Sequence, residues 1–104
     1  MKNKKLKYIE AYIYAKTLNQ ISLNTKAKDV QSQERITQAK VISKDLLISC
    51  EEKINQLKLN DVSFLVLKNE LERENLYHNG FEKNYKKICE MLNNYSTYYK
   101  LIST

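Results

Sequence analysis

The sequence predicts an all-α fold, a long antiparallel two-helix coiled-coil hairpin, on three observations. Proline is absent and only one glycine, Gly80, occurs in 104 residues, which leaves almost no turn punctuation for a multi-stranded sheet. From Phe64 to Ile102, apolar and aromatic residues recur by alternate threes and fours without a slip of phase, the roughly 3.5-residue period of a coiled coil. Asn60 and Asp61, both poor helix-interior residues, provide the best break, and Asp61 can cap the helix that follows.

The first helix is expected over about residues 3–59. Its seam runs through Tyr8, Ala11, Ala15, Leu18, Ser22, Thr25, Asp29, Ser32, Ile36, Ala39, Ser43, Leu46, Cys50, Lys53 and Leu57, and it weakens where seam positions from 22 to 32 hold no apolar residue. A loop over 22–30 is therefore the alternative, and it would give a three- or four-helix bundle. The second helix is expected over about residues 62–103, continuous through Asn79 and Gly80. Gly80 lies off the seam, and a glycine inside a helix costs only about 1 kcal/mol. A fold at 60/61 sets Cys50 against Leu71, Ala39 against Phe81, Ile36 against Tyr85, and Ser22 against Tyr99. Most of these pairs place a small residue opposite a large one, which fills a two-helix seam without overpacking.

A single domain spans residues 1–104, and the longer first helix leaves residues 1–17 as a basic overhang. Tyr8, Ile9, Tyr12, Ile13 and Tyr14 cover more than one face of that segment, which an isolated solvated helix would not tolerate. A partner, a second copy or a folded-back segment must pack there.

Net charge is +6, and residues 1–28 hold seven lysines against Glu10. Such an end suits an acidic protein groove, an anionic membrane surface or nucleic acid. Nucleic acid is disfavoured because 16 of the 18 basic residues are lysine rather than the bidentate arginine. The longest run of aliphatic and phenylalanine residues is 64–67, and no signal-peptide pattern follows the lysine-rich start. A soluble protein kept in the cytoplasm is expected, with peripheral membrane contact at most.

Chemistry finds little support. Cys50, Cys89 and the single His78 form no metal-ligand spacing, and a phosphate-cradling loop needs more than one glycine, so no metal or cofactor is expected. Arg73 and His78 match the loose arginine–histidine spacing of some helical ribonucleases, a match short enough to arise by chance. The expected protein is not an enzyme.

The break before the segment LKLNDVSFLVLKNELEREN, with Phe64 and Leu67 opening a helix and an acid- and base-rich run over residues 68–74, resembles the FliJ/YscO-like central-stalk proteins of type III secretion and flagellar export. That resemblance implies a bacterial, non-catalytic rod. Its termini enter a hexameric export ATPase, and other parts reach the export gate and secretion chaperones, peripheral to the inner membrane. On this reading Lys4, Lys5, Lys7, Tyr8, Tyr12, Lys16, Tyr98 and Lys100 form the ATPase-binding end. Val62, Phe64, Leu65 and Val66 form the hairpin tip, and Ala39, Phe81, Ile36, Tyr85, Cys50 and Leu71 form the structural seam. A helical secretion chaperone binding a secreted helical partner is the first alternative, and a basic RNA-binding hairpin is the alternative of a different class.

Overall fold

The computed structural model describes residues 4–56, 65, 66, 69 and 80–103, with side chains of the first helix described from Lys7 onward. Four α-helices are delimited among these residues: α1 (Lys4–Leu23), α2 (Val30–Gln56), α3 (Gly80–Asn93) and α4 (Tyr95–Ser103). The elements among the described residues are all helices, as expected. The described residues form a four-helix bundle, the alternative architecture, rather than a two-helix hairpin. The fold point at 60/61 lies outside the described residues, as do Val62, Phe64, Leu71, Arg73 and His78 and the side chains of Lys4 and Lys5.

The expected first helix is interrupted at residues 24–29, and the polar gap in its seam is the reason. Helix ends leave carbonyls without intrahelical partners, and short polar side chains satisfy them. Asn24 donates from its side-chain amide to the Gln20 carbonyl at 2.8 Å, and the Thr25 hydroxyl donates to that of Ile21 at 2.6 Å. Five residues on, α2 opens with a reciprocal cap. The Ser32 amide donates to the Asp29 carboxylate at 2.7 Å, and the Asp29 amide donates to the Ser32 hydroxyl at 3.0 Å. Residues read as small fillers opposite aromatics are instead the ending of one helix and the start of the next.

The expected second helix is interrupted twice. Gly80, the first residue of α3, has φ +81°, a left-handed conformation that no continuous α-helix accommodates. At the other end, Asn94 forms a turn, its amide bonding the Met91 carbonyl at 3.0 Å before α4 starts. Adjacent Asn93 and Asn94 compete locally with helical bonding.

Contacts fix the directions of the helices. Tyr14 stacks on Tyr98 while Lys28 reaches Phe81 and Glu82, so the α3–α4 segment runs antiparallel to α1. Tyr85 feels the charges of Asp29 and Arg35, and Tyr95 that of Asp45, so the same segment runs parallel to α2. Helices α1 and α2 form the most extensive contact in the bundle and are antiparallel. Their six-residue link is too short to carry the chain back along the roughly 30 Å of a 20-residue helix.

Helix α1 is the centre of the bundle. Tyr8, Ala11, Tyr12, Ala15, Leu18 and Ser22 are buried along one stripe, and Tyr14 and Ile21 are buried on another. From Tyr8 to Ala15 the predicted overhang is thus packed against the folded-back remainder of the chain. No acidic residue occupies the first turn of α1, where one would favour the helix dipole. The bundle measures 42 × 28 × 21 Å, and no described helix is long and apolar enough to cross a membrane.

Candidate functional site

A groove opens between α1 and the α3–α4 segment, with a volume of about 390 Å³. Glu10, Ile13, Tyr14 and Thr17 line it from α1, at successive helical steps of three, one and three residues. Lys87, Met91, Asn94 and Tyr98 line the other wall, at steps of four, three and four. The two walls arise because α3 and α4 follow α1 in antiparallel alignment, and Asn94, at the turn between them, is among the lining residues.

The floor is rigid. Tyr14 and Tyr98 stack with ring centroids 4.2 Å apart and planes 7° from parallel, and the Tyr14 hydroxyl donates to the Met91 carbonyl at 2.5 Å. That carbonyl also accepts the Asn94 amide, so Tyr14 ties α1 to the turn between α3 and α4. Burial, followed by the neighbouring hydroxyls of Tyr98 and Tyr95, holds the Tyr14 phenol well above its ordinary range, so it remains a donor at any physiological pH. Of the lining residues, Glu10 and Lys87 carry charge, one on each wall. Among the described residues no group of three or more His, Cys, Asp or Glu side chains is placed to hold a metal ion. The groove presents apolar and aromatic surface with one charge of each sign.

A second hollow of about 380 Å³ lies where the 24–29 loop meets the start of α3. Here Lys28 sits 4.5 Å above the Phe81 ring and pairs with Glu82 at 3.1 Å, and Phe81 stacks on Tyr85 at 5.4 Å. The ion pair is solvent-exposed and contributes little, while the ammonium over the ring fastens the loop to α3.

The residues expected at the ATPase-binding end are dispersed by burial. Tyr8 and Tyr12 are 5% and 1% exposed and belong to the core, not to a projecting tip. Lys7 and Lys16 are half-buried, Tyr98 is half-buried in the groove wall, and Lys100 is exposed. The N-terminal helix and the C-terminal residues do come together, because α4 packs on α1 rather than because a hairpin ends there. Of the expected hairpin tip, Leu65 and Val66 are helical and each 50% exposed. Of the seam set, Ile36, Ala39 and Cys50 are buried and Phe81 and Tyr85 are partly buried, although not as the anticipated α2–α3 antiparallel pairs. Tyr99, expected opposite Ser22, is 51% exposed. Burial and then the Glu51 charge push the Cys50 thiol up to about 12, which makes it an inert packing group.

Met91, Asn94 and Lys87 were not singled out from the sequence. The available signal was the second apolar line of α1, Ile13, Tyr14 and Ile21, which announces a second packed partner without naming it. Comparison with family models, curated proteins and solved structures finds no match to this chain.

Proposed function

We propose that the chain is a non-enzymatic protein-binding bundle that receives an amphipathic helix of a partner in the groove between α1 and α3–α4. The groove carries this reading: its walls repeat at helical steps, and its floor is a braced aromatic pair beside Met91, an adaptable thioether. Bulky apolar side chains of the incoming helix would rest on Ile13, Met91 and Tyr98, with Lys87 and Glu10 reading charge at the rims. Within the secretion setting that the sequence resembles, this is the role of a chaperone holding a secreted helical protein. The stalk reading requires a rod, and a 40-residue helix alone would be about 60 Å long, beyond the 42 Å length of this bundle.

Calorimetric titration tests the choice, using helical peptides from secreted proteins encoded beside this chain and, separately, the candidate hexameric ATPase. Peptide binding that is lost in an Ile13→Asp/Tyr98→Ala variant supports the groove. Tight ATPase binding that this variant leaves unchanged would restore the stalk reading and move the working surface elsewhere.

A further inference from the structure

The groove and the second hollow lie along one cleft. On α1 the lining residues Glu10, Ile13, Thr17 and Asn24 fall on a single line of alternating three- and four-residue steps, which half-buried Gln20 completes. On the facing segment Tyr98, Asn94, Met91, Lys87, Asn84 and Gly80 follow one another in steps of four and three without a break. Residues that far apart share one helical face on each wall, and the two walls stay together because α3–α4 runs antiparallel to α1. From Glu10 to Asn24 the cleft extends about 21 Å at 1.5 Å per residue, room for a helix of four turns.

The two ends of the cleft differ in chemistry. Around Tyr14, Met91 and Tyr98 the lining is apolar and aromatic. Toward the start of α3 it is basic: Lys26 and Lys28 line the hollow, Lys87 stands on the wall, and Lys83 lies one turn before Lys87. Lys26, Lys83 and Lys87 are exposed and have no ion-pair partner among the described residues. Two of the acids near this end are already engaged, Glu82 by Lys28 and Asp29 by the Ser32 amide. Glu90 lies farther along α3, toward Met91.

We propose that the cleft takes a partner helix with an acidic first turn, seated over Lys26, Lys83 and Lys87, and an apolar face that rests on Ile13, Met91 and Tyr98. This rests on the groove reading above and adds the charge and the direction of the occupant. Acidic side chains suit the N-terminal turn of a helix, where the dipole favours them. The partner helix therefore runs antiparallel to α1, with its N-terminus at the α3 end. The exposed lysines steer and orient it, and the aromatic floor supplies the buried contact.

Fluorescence anisotropy of the full chain with two labelled helical peptides of about 14 residues tests the proposal. Both peptides carry leucines at helical spacing; one opens with three glutamates and the other with three glutamines. At low salt the acidic peptide should bind the wild type about tenfold tighter than the neutral one, an advantage that shrinks as salt rises. In Lys26→Glu/Lys83→Glu, two exposed positions, the advantage disappears while the neutral peptide binds as before, and an unchanged melting curve confirms the fold. Equal binding of both peptides to the wild type overturns this inference and leaves the groove reading standing. So does a preference that survives in the double variant. If neither peptide binds, the groove reading fails and takes this inference with it. A single-stranded oligonucleotide that outcompetes the acidic peptide assigns the lysines to nucleic acid and likewise overturns the proposal.

Discussion

Helix α1 is richer in apolar residues than α2, and the two stand in opposite situations. Along α1, buried residues occupy two stripes, because α2 covers one side and α3–α4 the other. Along α2, burial is confined to one line that alternates by threes and fours, and the apolar residues on the reverse face, Val41 and Ile48, stay half-exposed. In both helices apolar residues appear around much of the circumference, so neither reads as cleanly one-sided. In α1 the cause is a central position in the bundle; in α2 it is an outer face with surface to spare. An apolar residue off the main stripe thus has two meanings, and the burial of its surroundings distinguishes them.

The largest expected effect lies in α1. Leu18 is fully buried, so Leu18→Ala should destabilise by about 2–5 kcal/mol, whereas Ile48→Ala on the open face of α2 should change stability by less than about 0.5 kcal/mol. Chemical denaturation of the two variants checks the contrast, and equal losses would mean that the outer face of α2 is covered. Next comes Ala39→Leu. Ala39 is fully buried on the line of α2 that meets α1, and overpacking there should cost about 1–3 kcal/mol despite the better hydrophobe, measured as a lowered melting midpoint.

Tyr14→Phe sharpens the comparison on the other side of α1. It keeps the ring stack on Tyr98 and removes the hydroxyl that bonds the Met91 carbonyl, a change worth about 1 kcal/mol, since that carbonyl retains the Asn94 amide. Native-state hydrogen exchange should show the loss concentrated at the end of α3 and in α4.

The smallest effect concerns the start of α2. Bonds from Ser32, first from its backbone amide and then from its side chain, hold the Asp29 carboxyl below its ordinary range. A depressed folded-state pKa contributes stability that is present above the ordinary aspartate value of about 4 and lost as pH falls through the folded value. Asp29→Asn, which retains a capping oxygen, should leave the melting midpoint at pH 7 nearly unchanged and flatten its decline in acid. A parallel acid limb in the variant would show that other carboxylates set that limb.

Much of the burial pattern was legible in the residues. Tyr8, Ala11, Ala15, Leu18, Ser22, Thr25, Ser32, Ile36, Ala39, Ser43, Leu46 and Cys50 were placed on the inward line by period alone and are buried, whereas Asp29 and Lys53, placed on the same line, are exposed. In α3 the inward line is slightly rotated, to Asn84, Ile88 and Met91 instead of Tyr85, Ile88 and Leu92, because that helix touches both α1 and α2. The capping pair Asp29 and Ser32 was readable in principle, but the small polar residues of the gap also read as fillers opposite the aromatic half of the second helix, which concealed it. The groove was not legible, since its two walls are 77 residues apart at Tyr14 and Met91.

Sequence alone determined that this protein is helical and which side of each helix turns inward, because side-chain periodicity is a local property that follows from 3.6 residues per turn. Only the tertiary structure decided where the chain reverses and which helices meet. An inward stripe has the same spacing whether its neighbour runs parallel or antiparallel, and whether that neighbour is close in sequence or far away. Choice among those arrangements comes from the fit of whole surfaces. Here Tyr14 meeting Tyr98, and the capped loop at Lys28 meeting Phe81, selected a bundle over a rod.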